Sequence, residues 1–298
     1  TRGPLLDLQT DATNSEGTTN DGLQKFLKGG CQIEDDDAVN TSGESYVSWN
    51  WVANGGTTSA NTDGSGATIA STIQANQTAG FSIIKYTGTG SNGTVAHGLS
   101  SAPNWVVVKN IDNASEGWSH YHVGLDSATK IVTWNNNNSQ ADSASDWNST
   151  APTNKVVYVG TNARTNNNTQ EHIMYAWHSV EGFSKFGAFV GNGNADGPFV
   201  FTGFKPQWLL FKSMNTASWY ITSDKLFDFN PNSTEFHPDT TAVQTTLSSG
   251  RGVDYLSNGF KVRQEAGYGY NYDGVKTIYF AFAKHPFVGD GTNPCTAR

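Results

Sequence analysis

The sequence is poor in charge. Asp, Glu, Lys and Arg make up 15% of its 298 residues, and the formal net charge is −8. Lysine and arginine never form a run, so the clustered charge that duplex DNA requires is missing and nucleic acid is a poor partner. The same balance disfavours acidic carbohydrates and anionic membranes as electrostatic partners. Neutral sugars and other proteins stay open. No apolar run approaches the roughly 20 residues of a membrane-crossing helix, so no membrane insertion is expected. Cysteine is nearly absent. Cys31 and Cys295 are too few for a disulfide framework or a thiolate zinc site, and a single long-range bridge between them stays open. The chain opens at Thr1 with neither an initiator methionine nor a basic-then-apolar signal segment, which reads as a processed or trimmed polypeptide.

Strong helix formers are scarce as well, and this directs attention to what is abundant. Glycine reaches 32 residues, aromatics 12%, and there are nine tryptophans. A core must therefore come from aromatic and β-branched side chains on strands. The aromatic content excludes a disordered chain.

The chain repeats itself. Residues 80–110 and 185–213 align at an offset of 103, placing Gly88 and Gly90 on Gly191 and Gly193, Pro103 on Pro206, Trp105 on Trp208 and Lys109 on Lys212. Each copy ends in a strand of alternating bulky residues, HIMYAWHS from His172 and TIYFAFAK from Thr277. A third such closer, ESYVSWNWV from Glu44, has no opening segment before it. A period near 100 residues implies tandem domains rather than a solenoid. The expected organisation is a partial β module at 1–53, a Gly/Ser/Thr/Asn-rich linker at 54–79, whole modules at 80–182 and 183–289, and a tail at 290–298.

Within each module short alternating segments follow one another closely, the pattern of an antiparallel, jelly-roll-like β-sandwich. The fold class expected is all-β. Trp105 to Val108 is a continuous apolar run and should be a central strand, with Pro103 at its mouth. In the N-terminal part, 46–52 alternates most clearly. Residues 68–73 suggest a short edge strand. Residues 135–148, 227–249 and 266–274 are polar or Tyr-rich excursions where recognition surface is expected.

The phrases DDAVNTSGESYVSWNW (36–51), PNWVVVKN (103–110), MYAWHS (174–179), SNGFKV (257–262), YFAFAKHPF (279–287) and the terminal TAR resemble tandem β modules of tail-fibre-like virion proteins from tailed phages of marine bacteria. The resemblance covers nearly the whole chain, although the isolated half module departs from the family plan. It implies a virion structural protein on the particle surface. It carries over no binding or catalytic residue.

The residues themselves offer little chemistry. Glu34 to Asp37 is the densest carboxylate group, but neighbours on an extended chain point to opposite faces and the calcium-loop spacing is missing, so it reads as a solvated turn. His120 and His122 would share one strand face, and His172 and His178 bracket another strand. Neither pair has a third ligand at useful spacing, and all four read as surface or boundary histidines. There is no nucleophile elbow or phosphate-cradling glycine motif. No catalytic residue, metal ligand or cofactor is therefore assigned. Trp49, Trp105, Trp177 and Trp208 sit at apolar strand positions and read as core. Trp118, Trp147 and Trp219, like Trp134, stand beside polar loops. The first three, with the alternating Tyr268, Tyr270 and Tyr272, are the candidates for glycan recognition or subunit contact.

The function expected is non-enzymatic: a fibre-like protein engaged in host-surface attachment through a glycan or outer-membrane receptor. It would be a homo-oligomer, a trimer above other states, in contact with other virion proteins. A head-decoration or tail-scaffold role and a glycan-degrading virion enzyme are the alternatives.

Overall fold

The computed structural model describes residues 3–27, 29–53, 58–59, 65–215, 218–224, 230–247, 251–265 and 269–285. The N-terminal part contributes β1 (Leu6–Asp7), β2 (Gly17–Thr18), β3 (Leu23–Leu27), β4 (Gly30–Ile33) and the single-turn helix α1 (Asp37–Asn40). Next come β5 (Thr58–Ser59) and β6 (Ser71–Asn76). The first repeat holds β7 (Phe81–Thr87), β8 (Gly93–Ala96), β9 (Trp105–Asn110), β10 (Ser119–His122), β11 (Lys130–Thr133), β12 (Ala141–Asp142), β13 (Val156–Val159), α2 (Ala163–Asn166) and β14 (Glu171–Trp177). The second holds β15 (Ser184–Val190), β16 (Phe199–Phe201), β17 (Pro206–Ser213), β18 (Trp219–Ser223), β19 (Thr234–Glu235), β20 (Thr245–Thr246), β21 (Val253–Leu256), β22 (Gly259–Val262) and β23 (Lys276–Ala283).

The fold is all-β, with antiparallel ladders arranged as sandwich layers. An eight-stranded sheet runs β12-β11-β10-β9-β14-β7-β6-β5, and a four-stranded sheet runs β15-β23-β17-β18. The central order β10-β9-β14-β7 of the first is the order β18-β17-β23-β15 of the second. Each sheet is covered on one face by a smaller one from its own repeat, the β8–β13 ribbon and the β16-β22-β21 sheet respectively.

Alternation distributes the side chains among three cores. On β9, Val106 and Val108 join Ile84, Val157 and Met174 beneath the β8–β13 ribbon. On β17, Leu209 and Phe211 join Phe260, Tyr270 and Tyr279 beneath the other small sheet. The opposite faces of β9 and β17 present Trp105 and Val107, and Trp208 and Leu210, to one shared core. This is why β9 is buried at every position: both of its faces are covered, as its unbroken apolar run predicts.

The two repeats are therefore not beads on a string. Trp105 meets Phe280 at 4.5 Å between ring centroids, His120 meets Trp219 at 5.0 Å, and the Trp219 indole donates to the Thr133 carbonyl at 2.8 Å. The layers meet through the sheet faces that neither small sheet covers.

Three local expectations are corrected. Residues 44–53 form no ladder, despite their alternation. Trp49 and Trp51 are half-buried and leave the strand pattern to pack against Trp208 of the shared core, at 6.3 and 5.4 Å. The supposed linker contains β6, which pairs along its length with β7 and buries Ile73. Finally, the excursion after residue 227 is not all surface. Residues 232–235 are buried, and Phe236 bridges to Ile221 at the edge of the four-stranded sheet. Residues 54–57, 60–64, 225–229, 248–250, 266–268 and the tail from 286 lie outside the described residues. No helix among the described residues is long and apolar enough to cross a membrane.

Candidate functional site

The shared core is the most distinctive chemical environment in the chain. Its floor is an aromatic ladder across the larger sheet. The registers Phe81↔Trp177 and Trp177↔Trp105 place these rings opposite one another on neighbouring strands. They stack at 4.8 Å and 4.0 Å, with interplanar angles of 23° and 15°. Such cross-strand aromatic pairs add to the stability that burial alone provides. The facing wall comes from Trp208 and Phe282, register partners on β17 and β23, with Phe236 beside them. Trp51 closes one side, edge-on to Trp177, Trp208 and Phe282. The segment before β2 closes another. There the Gln9 carbonyl accepts from the Trp118 indole at 2.8 Å, and the Thr10 hydroxyl donates to the Pro238 carbonyl at 2.6 Å.

These walls do not meet completely. A cavity of about 580 Å³ remains between the sheets, within the size range of small-molecule sites. Its lining includes Phe81, Trp105, Trp134, Trp177 and Trp208, together with Trp49, Trp51, His237 and Pro238. The Trp105 indole is satisfied, donating to His120 Nδ1 at 3.2 Å, which places the imidazole proton on Nε2. The indole N–H groups of Trp134, Trp177 and Trp208 are buried and meet no acceptor among the described residues, and neither does His120 Nε2.

Burial disfavours the charged form of the interior histidines and lysines. His120 and His122 do share one face, but that face is interior, so the expectation of surface histidines is corrected; His172 and His178 are buried too. Burial pushes His120 well below the ordinary imidazole range, with a further contribution from His122. Burial also lowers His122 to about 3 and His97 to about 4. The repeat-related lysines are buried and lowered to about 8 by desolvation. Lys109 donates to the carbonyls of Asn110 at 2.7 Å, Thr13 at 3.1 Å and Asn113 at 3.2 Å. Lys212 donates to the Asn137 carbonyl at 3.1 Å and lies 6.0 Å from the centre of the Trp219 ring.

Four of the six nominated recognition residues are interior. Trp118, Trp147, Trp219 and Tyr270 are all buried, which removes them from any surface. Trp147 is drawn in because Asp146 beside it is fully buried, accepting from Ser119 and Ser143 and pairing with Arg164. Trp147 then fills the space beneath the β8–β13 ribbon, edge-on to Tyr121. Trp118 and Trp219 find backbone acceptors for their indoles, which makes interior placement favourable beside polar loops. Tyr270 stacks on Phe211 at 4.5 Å. Tyr272 is half-buried against the same outer core, and Tyr268 lies outside the described residues. The expected tyrosine row is thus not a surface at Tyr270.

In the acidic turn, Asp36 caps α1 by accepting from the Ala38 amide at 2.7 Å. Asp21, Glu34 and Asp35 bring carboxylate oxygens within 4.8 Å of one another, but all three residues are exposed. Cys31 is exposed and Cys295 lies outside the described residues.

Sequence reasoning placed Trp105, Trp177 and Trp208 in a core. It missed that they face a common one, because alternation marks a covered face without naming what covers it. A family model described as "Domain of unknown function (DUF7483)" matches residues 1–286, and the chain belongs to that family. No curated protein and no solved structure matches it.

Proposed function

We propose that this member of the family is a non-enzymatic structural protein of a tailed-phage virion surface, built into a fibre-like homo-oligomer that engages the host surface. The sequence resemblance to tail-fibre-like modules motivates the virion assignment. The observation that carries the assembly role is the β3–β4 hairpin. It stands largely in solvent, with Phe26 67% exposed, Leu27 54% and Ile33 41%. An isolated two-stranded hairpin is marginal in water, and clustered exposed apolar side chains usually mark an interaction site. A neighbouring copy seated on this arm would cover both. Trimers are the state favoured.

The test is the mass of the purified chain in solution at micromolar concentration, followed by electron microscopy of particles labelled with an antibody to it. A multimer that Phe26→Ser with Leu27→Ser dissociates, and label on tail fibres, support the reading. A stable monomer, or the absence of label on particles, sinks it.

A second reading, a head-decoration or tail-scaffold protein without receptor binding, is favoured by the burial of Trp118, Trp147, Trp219 and Tyr270, since these are no longer free to meet a receptor. Label on the head lattice, with no binding to host cells or a glycan array, would select it.

A further inference from the structure

We propose that the outer edge of β15 seats the β3–β4 hairpin of a second copy of this chain, with β4 joining the four-stranded sheet as an antiparallel strand. This rests on the assembly reading above and names both sides of the contact.

The two repeats differ at this edge. In the first, the segment before β7 closes the open side of the sandwich. The Thr68 and Ile69 amides donate to the Thr94 carbonyl on β8, each at 3.0 Å. β6 then pairs antiparallel with β7, from Ser71↔Tyr86 to Asn76↔Phe81. Ile69 and Ile73 are buried by this arrangement. The equivalents of β7 and β8 are β15 and β16, and among the described residues neither has a strand on its outer side. Only residues 178–183 lead from β14 into β15, too few to supply a counterpart of β6. They meet only the start of the edge. Val180 and Ser184 exchange backbone bonds at 3.1 and 2.9 Å, and the Phe186 amide donates to the Ser179 hydroxyl at 3.3 Å. Backbone groups alternate sides along an antiparallel strand, so those of Ala188 and Val190 point outward as well. The surroundings are apolar: Val190 is 56% exposed, and on β16 Phe199 is 47% and Phe201 57% exposed. An unpaired edge of this kind is a template for an added strand.

The hairpin matches the edge in length, direction and charge. β4 is exposed at all 4 of its residues and pairs only with β3. It is as long as the open stretch 187–190. Phe26 lies opposite Cys31 in the hairpin ladder, so it shares a face with Ile33 and widens the apolar contact. Laid on β15 in the direction that β6 takes on β7, β4 brings Gly30 to Val190 and Glu34 towards Lys185. That end of the hairpin is acidic, with carboxylate oxygens of Asp21, Glu34 and Asp35 within 4.8 Å of one another. Lys185 stands 5.2 Å from the centre of the Phe201 ring and makes no ion pair among the described residues. It offers the cation that the crowded carboxylates need, and Glu181 in the turn before β15 offsets only part of it. Hairpin to β15 is a heterologous contact, which closes into a ring where the rotation permits.

The test follows the mass of the full chain through a micromolar dilution series. Val190→Lys places a charge on the edge, and Ala188→Pro removes an outward N–H at a position where an edge strand tolerates proline. Each is expected to raise the concentration at which the multimer dissociates by about tenfold or more. Lys185→Glu should raise it by about tenfold, and adding Glu34→Lys to that variant should restore assembly. Should Ala188→Pro fail to fold, Val190→Lys and the charge exchange carry the test, since both alter exposed side chains. Proximity is read directly in a Cys295→Ser background. A short bismaleimide should join Val190→Cys to the exposed Cys31 of another chain, and Cys31→Ser should abolish the product. Val243→Cys, 84% exposed and outside the seat, should give none. A multimer that Phe26→Ser with Leu27→Ser dissociates, but that Val190→Lys and Lys185→Glu leave intact, keeps the assembly reading and overturns this seat. So does a missing cross-link to Cys31, or a charge exchange that restores nothing. A stable monomer overturns both.

Discussion

The two repeats share a strand order but differ at their edges. The first extends its central four strands on both sides, with β11 and β12 at one edge and β6 and β5 at the other. The second stays at four, and its β18 edge is met instead by Phe236, bridged to Ile221. What stays constant is the middle: a tryptophan facing the shared core, and a buried lysine on the same strand. Even that lysine is used differently. Lys109 holds the Thr13 carbonyl of the N-terminal segment, while Lys212 holds the Asn137 carbonyl of the first repeat. Each repeat thus grips the piece of chain that precedes it. Interior faces set by packing are kept, and edges, where only ladder bonds must be met, are free to diverge.

The sharpest way to break this comparison is to truncate the equivalent tryptophans. Trp105→Ala should cost about 3–5 kcal/mol by chemical denaturation, since Trp105 packs on His120, Trp134, Trp177, Phe186 and Phe280. Trp208→Ala should cost less, because the half-buried Trp49 and Trp51 that cover it can settle inwards. Equal costs would mean that the two sheets contribute symmetrically.

Acid should separate the repeats next. His97, His120, His122 and His172 all lie in the first repeat, and burial lowers each of them. In the unfolded chain these rings protonate near pH 6.5. In the fold they do so only at about 4 for His97 and about 3 for His122. Between those values the unfolded state binds more protons, so stability falls as pH drops below 6.5. Amide protection factors, each taken relative to the intrinsic exchange rate at its own pH, should fall from pH 7.5 to pH 5 in 81–177 before 184–283. A uniform fall would show that the shared core makes the two layers one cooperative unit.

A smaller effect tests the lysines. Lys109→Met leaves buried carbonyls unpaired, at a cost of about 1–3 kcal/mol. It should also raise the rate of limited proteolysis within residues 3–53, which Lys212→Met should leave unchanged. Matching digestion patterns would refute distinct tethering roles.

The smallest change is expected at the extended edge. Lys130 and Asp142 pair at 2.8 Å between β11 and β12, with Asp142 well exposed, so Lys130→Ala should alter stability by less than about 1 kcal/mol. A larger loss would show that this edge is integral to the first repeat.

Much of this architecture is legible in the residues. The 103-residue offset reappears in Trp105 and Trp208, which both face the shared core, and the run WVVVKN is central as its composition requires. Other features are not legible, for physical reasons. The alternation of 46–52 is that of a strand, yet two of its large rings gain more by entering the shared core than a ladder would provide. Trp118 and Trp219 border polar loops, but a single backbone carbonyl suffices to satisfy each indole in the interior. The cavity was beyond reach of any one-dimensional pattern, since its walls come from segments separated by more than 150 residues, Trp51 and Trp208 among them.

Because Trp105 and Trp208 are repeat equivalents that both face the shared core, the contact between the layers uses the same face from both partners. An isologous dimer likewise meets through one patch used twice; here both patches belong to one polypeptide. Only residues 178–183 separate β14 from β15. So short a tether holds the two faces at a high effective concentration. An interface between separate subunits must be tight enough to survive dilution, and a void at its centre would be selected against. A tethered one is released from that demand, and the space it leaves unfilled becomes available for another use.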